Sequence, residues 1–177
     1  PADLFGGHVS GLDPAVWVAQ GFGSGRLKPG PGTWGSIVGL VWFAGLVATG
    51  SLWGFFCGVI LSIPLCVWIC GKAEKALGQK DPGSVVLDEI IAVPLCFSMW
   101  VVSHVHATGH MPEASYFLSG NNWLGVIGIF AAFRLFDIWK PWPVRQSQSL
   151  PGGWGVTVDD LLAALYVNLV SLPSLIG

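Results

Sequence analysis

Residues 34–70 read WGSIVGLVWFAGLVATGSLWGFFCGVILSIPLCVWIC, without one Asp, Glu, Lys or Arg. The uncharged stretch in fact runs from Lys28 to Lys72. A helix needs about 20 apolar residues to cross the hydrocarbon of a bilayer. The run is therefore too long for one crossing helix and suits two, at about residues 34–49 and 52–70. Gly50-Ser51 near its middle is the natural turn. Leu, Val, Ile and Phe dominate, and period-two alternation is absent, which favours helices over barrel strands.

Working outward, further apolar runs cover about residues 89–106, 122–139 and 160–176. The fold expected is all-α: a single domain over 1–177, built as a polytopic membrane helical bundle with about five apolar helices plus a short N-terminal helix. Residues 14–22 are apolar but too short to span. They suit an interfacial or packed helix, with Asp13 as its cap and Pro14 at its first position. Pro64 and Pro94 fall inside two of the runs, where spanning helices tolerate proline, usually with a kink. Nothing at the N-terminus resembles a basic segment followed by a short apolar core, so no cleavable signal peptide is expected.

Composition agrees. Asp, Glu, Lys and Arg make up 10% of the chain, against about 25% in soluble domains. Mean hydropathy is +0.65. A net charge of −2 leaves no basic stripe for phosphates of DNA or RNA, which excludes a nucleic-acid partner. Cys57, Cys66, Cys70 and Cys96 sit in apolar runs without zinc-type spacing and read as small hydrophobes.

The few charges are grouped. Arg26 and Lys28 precede the first run, Lys72, Lys75 and Lys80 separate the second from the third, and Lys140 and Arg145 separate the fourth from the fifth. With five crossings, all these bases fall on one face, which the positive-inside rule makes cytoplasmic. Three polar islands fall on the same face: Asp81 with Asp88-Glu89, Arg134 to Arg145 with Asp137 and Lys140, and Gly152 to Asp159-Asp160. Adjacent carboxylates at a helix start also suit the helix dipole. Arg134 and Asp137, three residues apart, share a helical face and suit a salt bridge. Yet hard cations such as Mg²⁺ take oxygen ligands and bridge carboxylates to phosphate, and phosphate also needs positive groups to hold it. The islands supply both. The glycine-rich segment from Gly21 to Ser36 fits neither a Rossmann fingerprint, since Arg26 replaces the third glycine, nor a Walker A loop, since Pro31 replaces its lysine. It suits a flexible turn or backbone N–H groups presented to phosphate, with Lys28, Thr33 and Ser36 as contacts. His104, His106 and His110 fall on the opposite face.

Together the segments resemble the phosphatidylglycerophosphatase A family. The resemblance rests on Gly23-Ser-Gly25 with Pro31-Gly-Thr-Trp-Gly-Ser36, on Asp81-x6-Asp88-Glu89, on Phe133-Arg-Leu-Phe-Asp-Ile-Trp-Lys-Pro-Trp-Pro-Val-Arg145, and on Gly152-Gly-Trp-Gly-Val-Thr-Val-Asp-Asp160. Ala92, where glycine is common, and the weakly charged Gln146–Pro151 segment depart from it. The resemblance implies a Mg²⁺-dependent phosphatase converting phosphatidylglycerophosphate to phosphatidylglycerol at the bacterial inner membrane, multi-pass, with its site toward the cytoplasm. On that expectation Asp88, Glu89, Asp137, Asp159 and Asp160 hold one or two ions. Asp81 is an outer ligand, a base or a loop fastener. Lys140, Arg134 and Arg145 clamp phosphate, helped by Lys28, Thr33 and Ser36, and the lipid tails stay in the bilayer. The alternative is a small membrane transport subunit with a charged ion path.

Overall fold

The computed structural model describes residues 13–176, with side chains described to residue 171. The signal-peptide expectation concerns residues 1–12 and lies outside the described residues. In chain order the elements are α1 (Pro14–Ala19), a 3-10 turn (Gly21–Arg26), α2 (Pro31–Val47), α3 (Leu52–Leu77), α4 (Leu87–Cys96), α5 (Ser98–Thr108), a second 3-10 turn (Ala114–Leu118), α6 (Asn122–Trp139), α7 (Val144–Ser147) and α8 (Gly153–Ile176). The described residues contain no strand.

Local chemistry sets several boundaries. Asp13 Oδ1 accepts from the Ala15 N–H at 2.8 Å, and Pro14 opens α1. Gly50 takes φ +65° between α2 and α3, and the Ser51 hydroxyl caps α3 by accepting from Gly54 N–H at 3.3 Å. Among the described residues, three helices are long and apolar enough to cross a membrane: α3, α4–α5 taken together, and α6. α2 is apolar but only 17 residues long. α8 stands at the fifth expected position and starts at Gly153, seven residues before the expected 160.

α4 and α8 form the inside of the bundle. The most apolar window of α4–α5 is 56% buried, against 22% for α3 and 11% for α6, so the latter two present long apolar flanks outward. Trp53, Ile60, Leu61, Leu135 and Ile138 are among those exposed flanks, as lipid contact requires. α2 lies against α4 along Gly32, Gly35 and Gly39. A Cβ on Gly35 would come within 2.6 Å of Val86 Cβ, and one on Gly39 within 2.8 Å of Val93 Cβ. Small residues replace the hydrophobic driving force that helices lack in lipid by allowing close backbone approach. α8 meets α3 the same way: a Cβ on Gly153 would overlap the Val67 carbonyl oxygen.

The helix from Leu87 to Thr108 is broken at Phe97, three residues after Pro94. Asn168 of α8 fills the break. Its Oδ1 accepts from Met99 N–H at 3.0 Å and Ser98 Oγ at 3.1 Å, and its Nδ2 donates to the Leu95 carbonyl at 2.7 Å and the Ala164 carbonyl at 2.9 Å. A single side chain thus satisfies polar groups that the break takes out of the helical hydrogen-bond ladder. Below the break, away from the acidic islands, an aromatic core packs Phe43 against Phe97 at 4.4 Å, with Phe55, Trp100 and Phe117 around them. A second core, with Val16, Cys66, Ile69, Ala73, Leu87 and Val156, seats α1 and α3 against the start of α4.

Candidate active site

Four carboxylates come from the starts of two inner helices. Asp88 and Glu89 occupy the first turn of α4, as expected for a dipole-favoured pair. Asp159 and Asp160 do not: with α8 beginning at Gly153 they lie in its second turn, so the helix start does not account for them. Asp88, Asp159 and Asp160 are buried. Asp137 comes from the last turn of α6. Asp160 lies within Coulombic reach of Asp88, Asp137, Glu89 and Asp159, which brings all five expected acids into one cluster.

Two bases answer them. Arg134 Nη1 bridges Glu89 Oε1 at 3.2 Å and Asp137 Oδ2 at 2.7 Å. Lys140 Nζ pairs with Asp159 Oδ2 at 2.6 Å. These bonds tie the beginning of α4, the end of α6 and the beginning of α8 to one end of the bundle. Lys140 reaches inward because it caps α6 in the left-handed region, φ +49°. Burial by itself would push its ammonium down, but the bond to Asp159 and the charges of Asp159, Asp137 and Asp160 outweigh that and hold it above its usual range. A lysine held above its usual range is a cation at neutral pH.

The ion pairs leave much of the cluster unsatisfied. Asp88 Oδ1, Glu89 Oε2, Asp159 Oδ1 and Asp160 Oδ2 are buried and accept no hydrogen bond. Burying such atoms without partners is costly. They are oxygen donors of the kind a hard cation takes. Among the described residues no three His, Cys, Asp or Glu side chains stand closely enough to enclose an ion as they are. The fit is therefore in donor type and in buried oxygens without a partner; among the described residues two bases, Arg134 and Lys140, pair with three of the five acids.

The other expected residues are placed differently. Ser36 is fully buried and its hydroxyl donates to the Gly32 carbonyl at 2.8 Å, one turn back in α2. Lys28, Thr33 and Arg145 are exposed, and the structure gives their side chains no partner among the described residues. Arg134 is held by two carboxylates, which makes it first a brace for the cluster. Asp81 is exposed at φ +48° and lies within Coulombic reach of Asp88, Glu89 and Asp159. Its backbone N–H donates to Glu74 Oε1 at 2.8 Å, a bond that holds the loop and does not involve its carboxylate. The Val86 N–H bond to the Ala19 carbonyl, 2.9 Å, and the Gln20–Ser84 bond, 3.0 Å, fasten the same loop onto the N-terminal turn. His104 packs against Tyr116, with ring centroids 4.3 Å apart and the rings tilted by 58°, far along the chain's helices from the acids.

Three residues at the site are not among those the sequence singles out. Glu74 is a buried carboxylate on α3 that fixes the loop leading into α4. Gln148 donates to Asp159 Oδ2 at 3.1 Å. Gly32 lets α2 rest on the Glu89–Arg134 pair: a Cβ there would overlap Glu89 Oε1 and lie 2.8 Å from both Arg134 terminal nitrogens. Only Gly32 lay in a motif, and there it read as part of a turn.

The sequence model of the phosphatidylglycerophosphatase A family matches residues 17–174. A Haemophilus influenzae protein named phosphatidylglycerophosphatase A is 34% identical over 163 residues, covering 92% of this chain and 89% of that protein. An Escherichia coli K12 protein of the same name is 33% identical over 155 residues, 86% of this chain and 78% of that one. A Bacteroides thetaiotaomicron protein provisionally named a phosphatidylinositol-3-phosphatase is 35% identical over 156 residues, 85% and 87% of the two chains. No solved structure matches the chain.

Proposed function

The chain belongs to the phosphatidylglycerophosphatase A family and is a phosphatase of phosphatidylglycerophosphate, and from that premise we propose that its five clustered carboxylates act with Mg²⁺ at the cytoplasmic face of the bacterial inner membrane. The reaction removes the terminal phosphomonoester and leaves phosphatidylglycerol. The observation that carries the reading is the set of buried carboxylate oxygens without a partner on α4 and α8.

Asp88, Glu89, Asp137, Asp159 and Asp160 would hold the cation. When bound, Mg²⁺ supplies neutralisation of the phosphoryl oxygens and alignment of the attacking oxygen. The protein's own groups do the rest. Arg134 keeps Glu89 and Asp137 side by side despite their repulsion. Lys140 does the same for Asp159 and adds positive charge where an anion arrives. The exposed Lys28, Thr33 and Arg145 provide the first contacts for the headgroup. The tails stay among the apolar flanks of the bundle.

The membrane placement extends the three clear spans to five, with α2 and α8 as the shorter crossings. Support comes from charge: the lysines and arginines near the cluster all belong to segments at the same end of the bundle, the arrangement expected of a cytoplasmic face. An ion path would instead distribute ionisable groups along the bundle or on both faces, and the ion pairs here cluster at one end.

The test is phosphate release from phosphatidylglycerophosphate by purified protein with Mg²⁺, with Asp137→Asn and Asp160→Asn as controls. Both variants should fold and lose activity. Failure of folded wild-type protein to release phosphate, or labelling that puts Asp88, Asp137 and Asp160 on different membrane faces, would overturn the reading.

A further inference from the structure

The segment between the Phe133–Arg145 and Gly152–Asp160 motifs carries no charge, yet it touches the site. Asp159 Oδ2 receives two donors, Lys140 Nζ at 2.6 Å and Gln148 Nε2 at 3.1 Å. Its other oxygen, Oδ1, is buried with none. An ammonium rotates freely and follows a carboxylate wherever it turns. A planar amide does not. With both donors on Oδ2, the carboxylate plane is held and Oδ1 is left as the buried oxygen open to a cation.

Gln148 is itself well placed for this. Val144 at the start of its short helix is fully buried, and Tyr166 of α8 donates to the Trp142 carbonyl at 2.6 Å, tying the segment down. The backbone at Gln148 rests directly on α8 at Gly155, where a Cβ would come within 3.0 Å of the Gln148 carbonyl oxygen and 2.7 Å of that of Leu150. Gly155 is four residues before Asp159, one turn away on the same helical face. The glycine therefore brings the loop onto α8 just where the amide can reach the carboxylate.

We propose that Gln148 is a positioning residue of the phosphatase, whose side-chain amide orients Asp159 toward the bound cation. The proposal rests on the reading of Asp159 as a cation ligand. Groups that orient a metal's ligands typically change metal affinity or activity by about 10–100-fold when removed.

Mn²⁺, which is visible by electron paramagnetic resonance, tests this without turnover. Purified wild type, Gln148→Leu and Gln146→Leu, the last an exposed neighbour on the same segment, are titrated with Mn²⁺ alone. Gln148→Leu should raise the Mn²⁺ Kd by about tenfold or more and lower kcat while leaving KM for lipid near wild type. Gln146→Leu should behave as wild type. In an Asp159→Asn background the Gln148→Leu substitution should add almost nothing, because the two act as one unit. Unchanged Mn²⁺ affinity in Gln148→Leu overturns the proposal while leaving the cation reading intact. So does an equal loss with and without Asp159, which marks a merely structural residue. A wild type that binds no Mn²⁺ overturns the cation reading, and the role of Gln148 with it.

Discussion

Three glycines of α2 meet three different environments, and alanine at each should separate them. At Gly32 the added Cβ would meet Glu89 Oε1 and both terminal nitrogens of Arg134, the mobile ends of long side chains. They can swing aside, so stability should change by no more than about 1 kcal/mol, within the range of mild overpacking. But Glu89 Oε1 must retreat by about 1 Å or more, a displacement that can cost on the order of 10² in rate at a catalytic group. At Gly39 the Cβ would meet Val93 Cβ at 2.8 Å and the Ile90 carbonyl oxygen at 3.0 Å. Those atoms cannot swing, so Gly39→Ala should lose about 1–3 kcal/mol of stability and less activity per folded molecule. At Gly45 nothing lies within 4 Å, and alanine should stabilise the helix by up to about 1 kcal/mol with activity unchanged. Phosphate release from mixed micelles measures the first quantity, and thermal unfolding in detergent the second. Gly32→Ala with wild-type activity would show that contact with α2 does not set the position of Glu89. Three variants that behave alike would refute the distinction altogether.

Other expectations are equally direct. Asn168→Leu removes the donors and acceptor that serve the break at Phe97 and should destabilise the protein by about 1–3 kcal/mol; an unfolding midpoint equal to wild type would mean that the break satisfies itself. Gly153→Ala sets a methyl group against the Val67 carbonyl oxygen and 2.7 Å from Gly71 N, both rigid backbone atoms, and should cost at least the upper end of about 1–3 kcal/mol, seen as poor yield of folded protein. Treatment with a chelator should abolish phosphate release and Mg²⁺ should restore it, whereas activity that survives thorough removal of divalent cations would exclude the carboxylates as their ligands.

Much of the fold was legible because lipid simplifies the code. A long run without charge, interrupted by Gly50-Ser51, gives two helices and a turn, and the bounds of α6 fall where the apolar pattern stops. The start of α8 was hidden because Gly152, Gly153 and Gly155 look like a loop; Gly153 and Gly155 are glycine because carbonyl groups of α3 and of the preceding segment occupy the space of their side chains, and Gly152 takes φ +55°. Contacts of that kind are tertiary and leave no local pattern. Arg134 and Asp137 were legible as neighbours by spacing, but Glu89 reaches the same guanidinium from 45 residues away. Ser36 shows the limit of a local motif: the glycine-rich segment reads as a turn, and at Ser36 it has already become helix. Glu74 and Gln148 stood alone in the sequence, and single polar residues carry no spacing to read.

The bond from Lys140 to Asp159 joins the end of α6 to α8, and this bears on how the protein is made. Synthesis delivers α2, α4 and α6 before α8. Until α8 docks, Arg134 has its two acids but Lys140 has none, and Asn168 is missing from the broken helix at Phe97. A partly made chain therefore reaches the membrane with a charge and several backbone groups waiting for the same late helix. Docking of α8 closes both deficits in one event, so completion of the scaffold and completion of the site are a single step of biogenesis.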